Sequence, residues 1–210
     1  MSRHIAVSKH RAKWWSRLRI IRTYLFVCMF TFGLISYLAF TQPVKTEKPQ
    51  VQEQLFDNVP SAIPGPPPKA RGVEKGEALA YIRIPRFGDD WLWTVLEGTD
   101  MNILDKGPGH FVDSALPGGK GNTSYAAHRA THGDPFLDFD KLQVGDTVIL
   151  SQSGAEWTYK ITLEPTIIEK NDIWVVRPMK NGHWLTLTTC WPKYGSAKRM
   201  YIRAELASVK

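Results

Sequence analysis

The sequence predicts an all-β fold, a single barrel or sandwich, over roughly its C-terminal two-thirds. Three observations lead there. Short runs rich in β-branched and aromatic residues recur with period-two alternation, turn signals such as Gly107-Pro108-Gly109, Pro117-Gly118-Gly119 and Ser153-Gly154 separate them, and only short helical patterns intervene. No internal repeat is visible.

The elements before that region are of a different kind. Residues 1–22 carry Arg3, Lys9, Arg11, Lys13, Arg17, Arg19 and Arg22 and no acid, which accounts for the whole formal charge of +7. The excess is therefore a topology signal and not a nucleic-acid footprint, and no nucleic-acid partner is expected. Residues 23–40, TYLFVCMFTFGLISYLAF, hold no charge. As a helix they span roughly 27 Å, close to a hydrocarbon core. The run is longer than a signal-peptide core and no small-residue cleavage site follows, so an uncleaved signal anchor is expected. The positive-inside rule keeps residues 1–22 cytoplasmic and delivers the rest to the outer face of the cell membrane. Residues 41–76 contain Pro43, Pro49, Pro60, Pro64, Pro66, Pro67 and Pro68 and few aromatics. They read as an extended spacer. Residues 77–210 form the exported domain.

Within that domain strands are expected at 80–84, 93–96, 124–128, 147–150, 156–164, 184–189 and 200–206, and short helices near 101–105 and 135–141. The chain has two cysteines. Cys28 falls in the apolar run, so Cys190 has no evident disulfide partner and is either a buried thiol or a nucleophile.

Strand parity favours the nucleophile. Leu185, Leu187 and Thr189 share one face and Trp184, Thr186, Thr188 and Cys190 the other, so the leucines turn Cys190 away from the core. In the last strand Met200, Ile202, Ala204 and Leu206 form the apolar face and Arg199, Tyr201, Arg203 and Glu205 the opposite one. Antiparallel pairing of the two strands across the connection from Trp191 to Lys198 brings Arg199 to Cys190, whereas Arg203 is roughly 13 Å further along. A reactive thiol needs an acid/base partner and positive charge where an oxyanion develops. His183 is in the same strand as Cys190, roughly 23 Å away if extended. His110 and His132 lie in turn-like contexts, and His128, at the end of a strand of small residues, can project over a cleft. Scattered histidines and one exported cysteine show no ligand spacing, so neither metal nor other cofactor is expected.

The segment Thr186-Leu187-Thr188-Thr189-Cys190, the downstream Arg199 and the upstream His128 resemble the sortases, the membrane-anchored cysteine transpeptidases of Gram-positive bacteria, over roughly 77–206. The resemblance implies an eight-stranded β-barrel with one or two short helices behind a transmembrane helix. It makes Cys190 the nucleophile, His128 the general acid/base and Arg199 the stabiliser of substrate and oxyanion. Leu116-Pro117-Gly118, Gly121-Asn122, Tyr125-Ala126-Ala127-His128-Arg129 and Gly133-Asp134-Pro135-Phe136 resemble class E sortases. There, a Tyr three residues before the histidine is associated with Leu-Ala-x-Thr-Gly signals in place of Leu-Pro-x-Thr-Gly. Tyr125 matches that position, although an unbroken strand puts it on the opposite face from His128, which calls for a bend or bulge. Trp191, where class E often has histidine, keeps class D open. Tyr125, Thr188 and Thr189 are the substrate-binding candidates.

The implied reaction cleaves the Thr-Gly bond of a C-terminal sorting signal on a secreted protein. The acyl part then passes to an amine of a lipid-linked peptidoglycan precursor, so the product is attached to the cell wall. A pilin-polymerising sortase is an alternative, but the lid motif and second membrane segment usual in that type are not legible. A noncatalytic membrane-tethered binding barrel is the alternative from another class. Retention of Cys190, His128 and Arg199 together favours the enzyme.

Overall fold

The computed structural model describes residues 22–34, 37, 47–56 and 73–210. Two compact units divide at Val44 and Lys45. In the first, residues 22–34 are helical and exposed. The rest of the expected membrane span, 35–36 and 38–40, lies outside the described residues, as does the basic segment through residue 21. Among the described residues no helix is long and apolar enough to cross a membrane.

The second unit is a closed barrel of eight strands: β1 (Ala78–Arg83), β2 (Leu92–Glu97), β3 (Gly109–His110), β4 (Gly121–Ala126), β5 (Thr147–Gln152), β6 (Ala155–Ile168), β7 (His183–Trp191) and β8 (Lys198–Val209). Around the barrel the order is β1-β2-β3-β4-β7-β8-β6-β5. Its interior is filled from alternate positions, among them Ile82, Val95, Leu150, Leu185, Leu187, Ile202 and Ala204, all fully buried. The alternation expected for the last two long strands is the one observed.

The differences from the sequence reading are local. The two-residue β3 is too short to show a period. β6 runs on to Ile168, and its register against β8 shifts between Leu163 and Thr166, so Pro165 sits where no ladder hydrogen bond is required. Of the helix expected at 135–141 only a single 3-10 turn forms, Phe139–Lys141. The short helix α2 (Met101–Leu104) forms as expected.

A larger difference concerns the stretch read as a spacer. Its residues 51–56 form a helical turn, α1 (Val51–Phe56), that packs on β2. Gln52 is fully buried there. One polar side chain with well-placed backbone partners anchors this segment, a signal that composition does not carry.

Candidate active site

Topology gathers the expected residues at one end of the barrel. β7 lies between β4 and β8. On one side it pairs antiparallel with β8, with Cys190 directly opposite Arg199 and Thr186 opposite Arg203. On the other it runs parallel to β4, with Ala126 opposite Thr188. The chain continues past Ala126 alongside β7, held by the Ala127 N–H donating to Thr188 O at 3.2 Å and Thr189 Oγ1 donating to Ala127 O at 2.9 Å. One residue beyond Ala127 and Thr189 stand His128 and Cys190. The thiol strand is thus flanked by the histidine and the arginine.

All three line a cleft of about 710 Å³, together with Thr188 and Thr189. Cys190 is partly exposed and unpaired as a thiol. The Arg199 guanidinium donates to Ser196 O at 3.2 Å and Lys198 O at 2.9 Å. Ser196 belongs to the β7–β8 connection and Lys198 opens β8, so the strand end and its own turn hold the guanidinium beside Cys190. Among the described residues no carboxylate forms an ion pair with Arg199, which keeps its charge available to an incoming oxyanion.

His128 is oriented from the other side. Its Nε2 meets Asp105 Oδ1 at 3.1 Å, and its ring stacks on His132 with centroids 4.7 Å apart. β4 ends at Ala126, so His128 belongs to the loop and the strand parity that separated it from Tyr125 no longer applies.

Tyr125 itself does not reach the cleft. It is fully buried in the barrel core, edge-on to the His110 ring at 5.6 Å, and its hydroxyl has no hydrogen-bond partner among the described residues. The expectation that it touches substrate is corrected by its inward-facing position in β4. Burial, first of all, and the neighbouring Tyr159 and Glu97 push its phenol well above the ordinary value. His110 is likewise interior. Its Nδ1 meets Glu97 Oε2 at 2.9 Å and its Nε2 meets Ser114 Oγ at 2.8 Å. That chain resembles a Ser-His-carboxylate relay, but Ser114 Oγ also accepts the Ser124 N–H at 3.0 Å and does not line the cleft. It satisfies buried polar groups. His183 starts β7, at the end remote from Cys190, and meets Gly118 O at 3.0 Å.

Residues that strand patterning did not single out complete the cleft. One wall is the 3-10 turn Ile173–Val176 in the β6–β7 connection. The outward face of β4 and β8 holds it by its carbonyls: Asn122 Nδ2 donates to Val175 O at 3.0 Å, Ser124 Oγ to Val176 O at 3.2 Å and Arg203 to Val175 O at 3.1 Å. Arg203, set aside as remote from Cys190, therefore supports this wall. Arg129, next to His128, is buried, pairs with Asp140 at 2.9 Å and lies over the Trp191 ring at 5.3 Å. It ties the residue after His128 to the residue after Cys190. Lys193, also in the lining, faces Asp138 at 3.4 Å.

Known proteins resemble this chain at the level of whole domains. The chain is 31% identical over 143 residues to sortase SrtE1 of Streptomyces coelicolor, covering 61% of this chain and 40% of that protein. It is 34% identical over 131 residues to sortase D of Bacillus subtilis, covering 61% and 63%. The chain thus spans about half the length of the curated relatives it matches. Among solved structures, sortase E from Streptomyces avermitilis superposes with a TM-score of 0.61 at 39% identity, covering 65% of this chain and 92% of that one. The sortase-domain family model matches residues 82–207, the barrel from its first strand to its last. By that match, which spans more than half of its length, the chain belongs to the sortase family.

Proposed function

We propose that this chain is a membrane-anchored cysteine transpeptidase acting at the outer face of the cell membrane. Its substrate is a secreted protein with a C-terminal sorting signal of the Leu-Ala-x-Thr-Gly or Leu-Pro-x-Thr-Gly kind. The observation that carries the reading is the pairing of Cys190 with Arg199, with His128 entering the same cleft from the loop that follows the parallel strand β4.

In the first half-reaction the Cys190 thiol gives its proton to His128 as the sulfur bonds to the threonine carbonyl carbon. Arg199 stabilises the charge that collects on the carbonyl oxygen. As the Thr-Gly bond breaks, the departing glycine amine takes a proton from His128 and a thioester remains. In the second, an amine of a lipid-linked cell-wall precursor attacks the thioester, and His128 accepts its proton and passes it to the Cys190 sulfur, which leaves as the thiol. Thr188 and Thr189, which line the cleft, are the nearest substrate contacts on the thiol strand. The uncharged span at 23–40, with basic residues before it, would hold barrel, signal and precursor at one membrane surface.

The test is cleavage of both signal peptides by the full chain in detergent, with and without an added amine. The wild type is expected to cleave at Thr-Gly and to yield ligated product when amine is present. Cys190→Ala is expected to lose at least about 10³-fold in rate. Undiminished turnover by that variant sinks the mechanism.

A further inference from the structure

We propose that Asp105, His128 and His132 form a site for a divalent cation of the zinc class, and that its occupation switches the enzyme off. Sequence spacing gave no hint of a site, because Asp105 comes from the end of α2 and the two histidines from the loop after β4. The fold brings three donor atoms within 4.8 Å of one another. His128 Nε2 is 3.1 Å and His132 Nε2 3.5 Å from the same oxygen, Asp105 Oδ1.

Those separations fit one metal. Zn–N and Zn–O bonds of about 2.0–2.2 Å at tetrahedral angles put neighbouring donors roughly 3.3–3.5 Å apart. Two edges of the triangle already lie near that length. The two imidazole rings stack at 4.7 Å with 29° between their planes, so both present the same edge to the carboxylate. Two imidazoles and one carboxylate suit zinc in preference to the oxygen-seeking magnesium or calcium. His128 is 15% exposed, whereas Asp105 and His132 are 43% and 44% exposed, so the triad is open on one side to ion entry and to a fourth ligand.

The turn that carries His132 is built for this placement. His132, Gly133 and Asp134 all have positive φ, at 55°, 84° and 54°. Such conformations are uncommon for residues with a Cβ. Here they fold the chain back so that His132 lies over His128.

The inhibitory consequence rests on the transpeptidase reading, since it follows from the same imidazole serving as acid/base. A cation on His128 Nε2 occupies a nitrogen lone pair and fixes the ring, so the residue can no longer exchange protons with substrate. Removing the ion restores it.

Zinc chloride titrated calorimetrically into the full chain in detergent tests the site. The wild type is expected to bind one ion. His132→Gln and Asp105→Asn are each expected to weaken binding by about tenfold or more, while Cys190→Ala stays within about threefold of wild type because the thiol is not one of the three ligands. Zinc is expected to raise the melting temperature of wild type and of Cys190→Ala, but much less that of His132→Gln. In peptide cleavage, zinc should inhibit the wild type reversibly on addition of a chelator. His132→Gln should need about tenfold more zinc for half-inhibition of its own metal-free rate. Absence of wild-type binding up to about 1 mM zinc overturns the site. So does binding lost in Cys190→Ala and kept in His132→Gln, which would mean capture by the thiol. If the metal-free wild type cleaves no peptide yet binds zinc through His132, the site stands and the transpeptidase reading falls.

Discussion

Gln52 and Thr94 exchange both hydrogen bonds of a β-ladder pair, although only one of them is in a strand. The Thr94 N–H donates to Gln52 Oε1 at 2.8 Å and Gln52 Nε2 donates to Thr94 O at 3.3 Å. β3 pairs only with Leu96 and Glu97 of β2, so it stops short of Thr94. The glutamine amide takes the place of the missing strand residue. The same Nε2 donates to Lys106 O at 2.7 Å, one residue beyond Asp105.

Gln52→Ala would strand a buried N–H and two carbonyls, each unsatisfied group costing about 1–3 kcal/mol. The expected result is a loss of roughly 2–4 kcal/mol in denaturant unfolding, with full-length protein as reference. A chain beginning at residue 77 is expected to lose as much, and one beginning at 45 to lose little. Equal midpoints for the two truncations would show that the anchor contributes nothing. Gly107→Ala should act like the Gln52 variant, because an added Cβ would collide with the Gln52 amide.

Arg199→Lys tests whether a positive charge at this register is enough. Arg199 makes both carbonyl bonds, to Ser196 and Lys198, through Nη1 and keeps its other guanidinium nitrogens for the substrate, whereas lysine has one nitrogen for both tasks. A fall of about 10²–10³ in kcat is expected, the range found on removing one oxyanion donor. The melting temperature should hardly move, since the side chain is partly exposed. Near-wild-type kcat in this variant would remove Arg199 from the chemistry.

Tyr125→Phe deletes a buried hydroxyl that has no partner among the described residues. Stability is expected to hold or to rise by about 1 kcal/mol. The ratio of rates on Ala- and Pro-containing signal peptides is expected to change by less than about twofold, well under 1 kcal/mol. A large change in that ratio would mean that Tyr125 reaches the substrate through its neighbours in β4.

Acid should weaken the barrel in part through Asp146. The hydrogen-bonded Arg86 guanidinium, at 2.7 and 2.8 Å, holds this carboxyl below its ordinary value of 3.8. A depressed folded value contributes stability that is fully present above the unfolded value of about 3.9 and is lost as pH falls through the folded one. The stability gap between wild type and Asp146→Asn is therefore expected to be widest near neutrality and to close in strong acid. Melting temperatures of both proteins across that range check it; a gap independent of pH would assign the effect to packing.

What could be read without the fold was whatever has a short period or a fixed partner in sequence. Alternation of leucine with threonine turned Cys190 away from the core, and the connection from Trp191 to Lys198 was short enough to put Arg199 opposite it. The eight-stranded barrel followed from resemblance carried by those same residues. Tyr125 entered as a substrate contact by resemblance, against the parity of its strand, and burial inside the barrel keeps it from the cleft.

The sequence by itself determined the thiol, its arginine and the all-β scaffold, since a strand's two-residue period and a short antiparallel connection are properties of neighbouring residues. Only the tertiary structure decided that Asp105 and His132 meet His128, that Gln52 completes β2 and that Asn122, Ser124 and Arg203 hold the cleft wall. Each of those is a polar group finding a partner far away in the chain. Burial forces such pairing, and only the folded chain determines which groups are buried together.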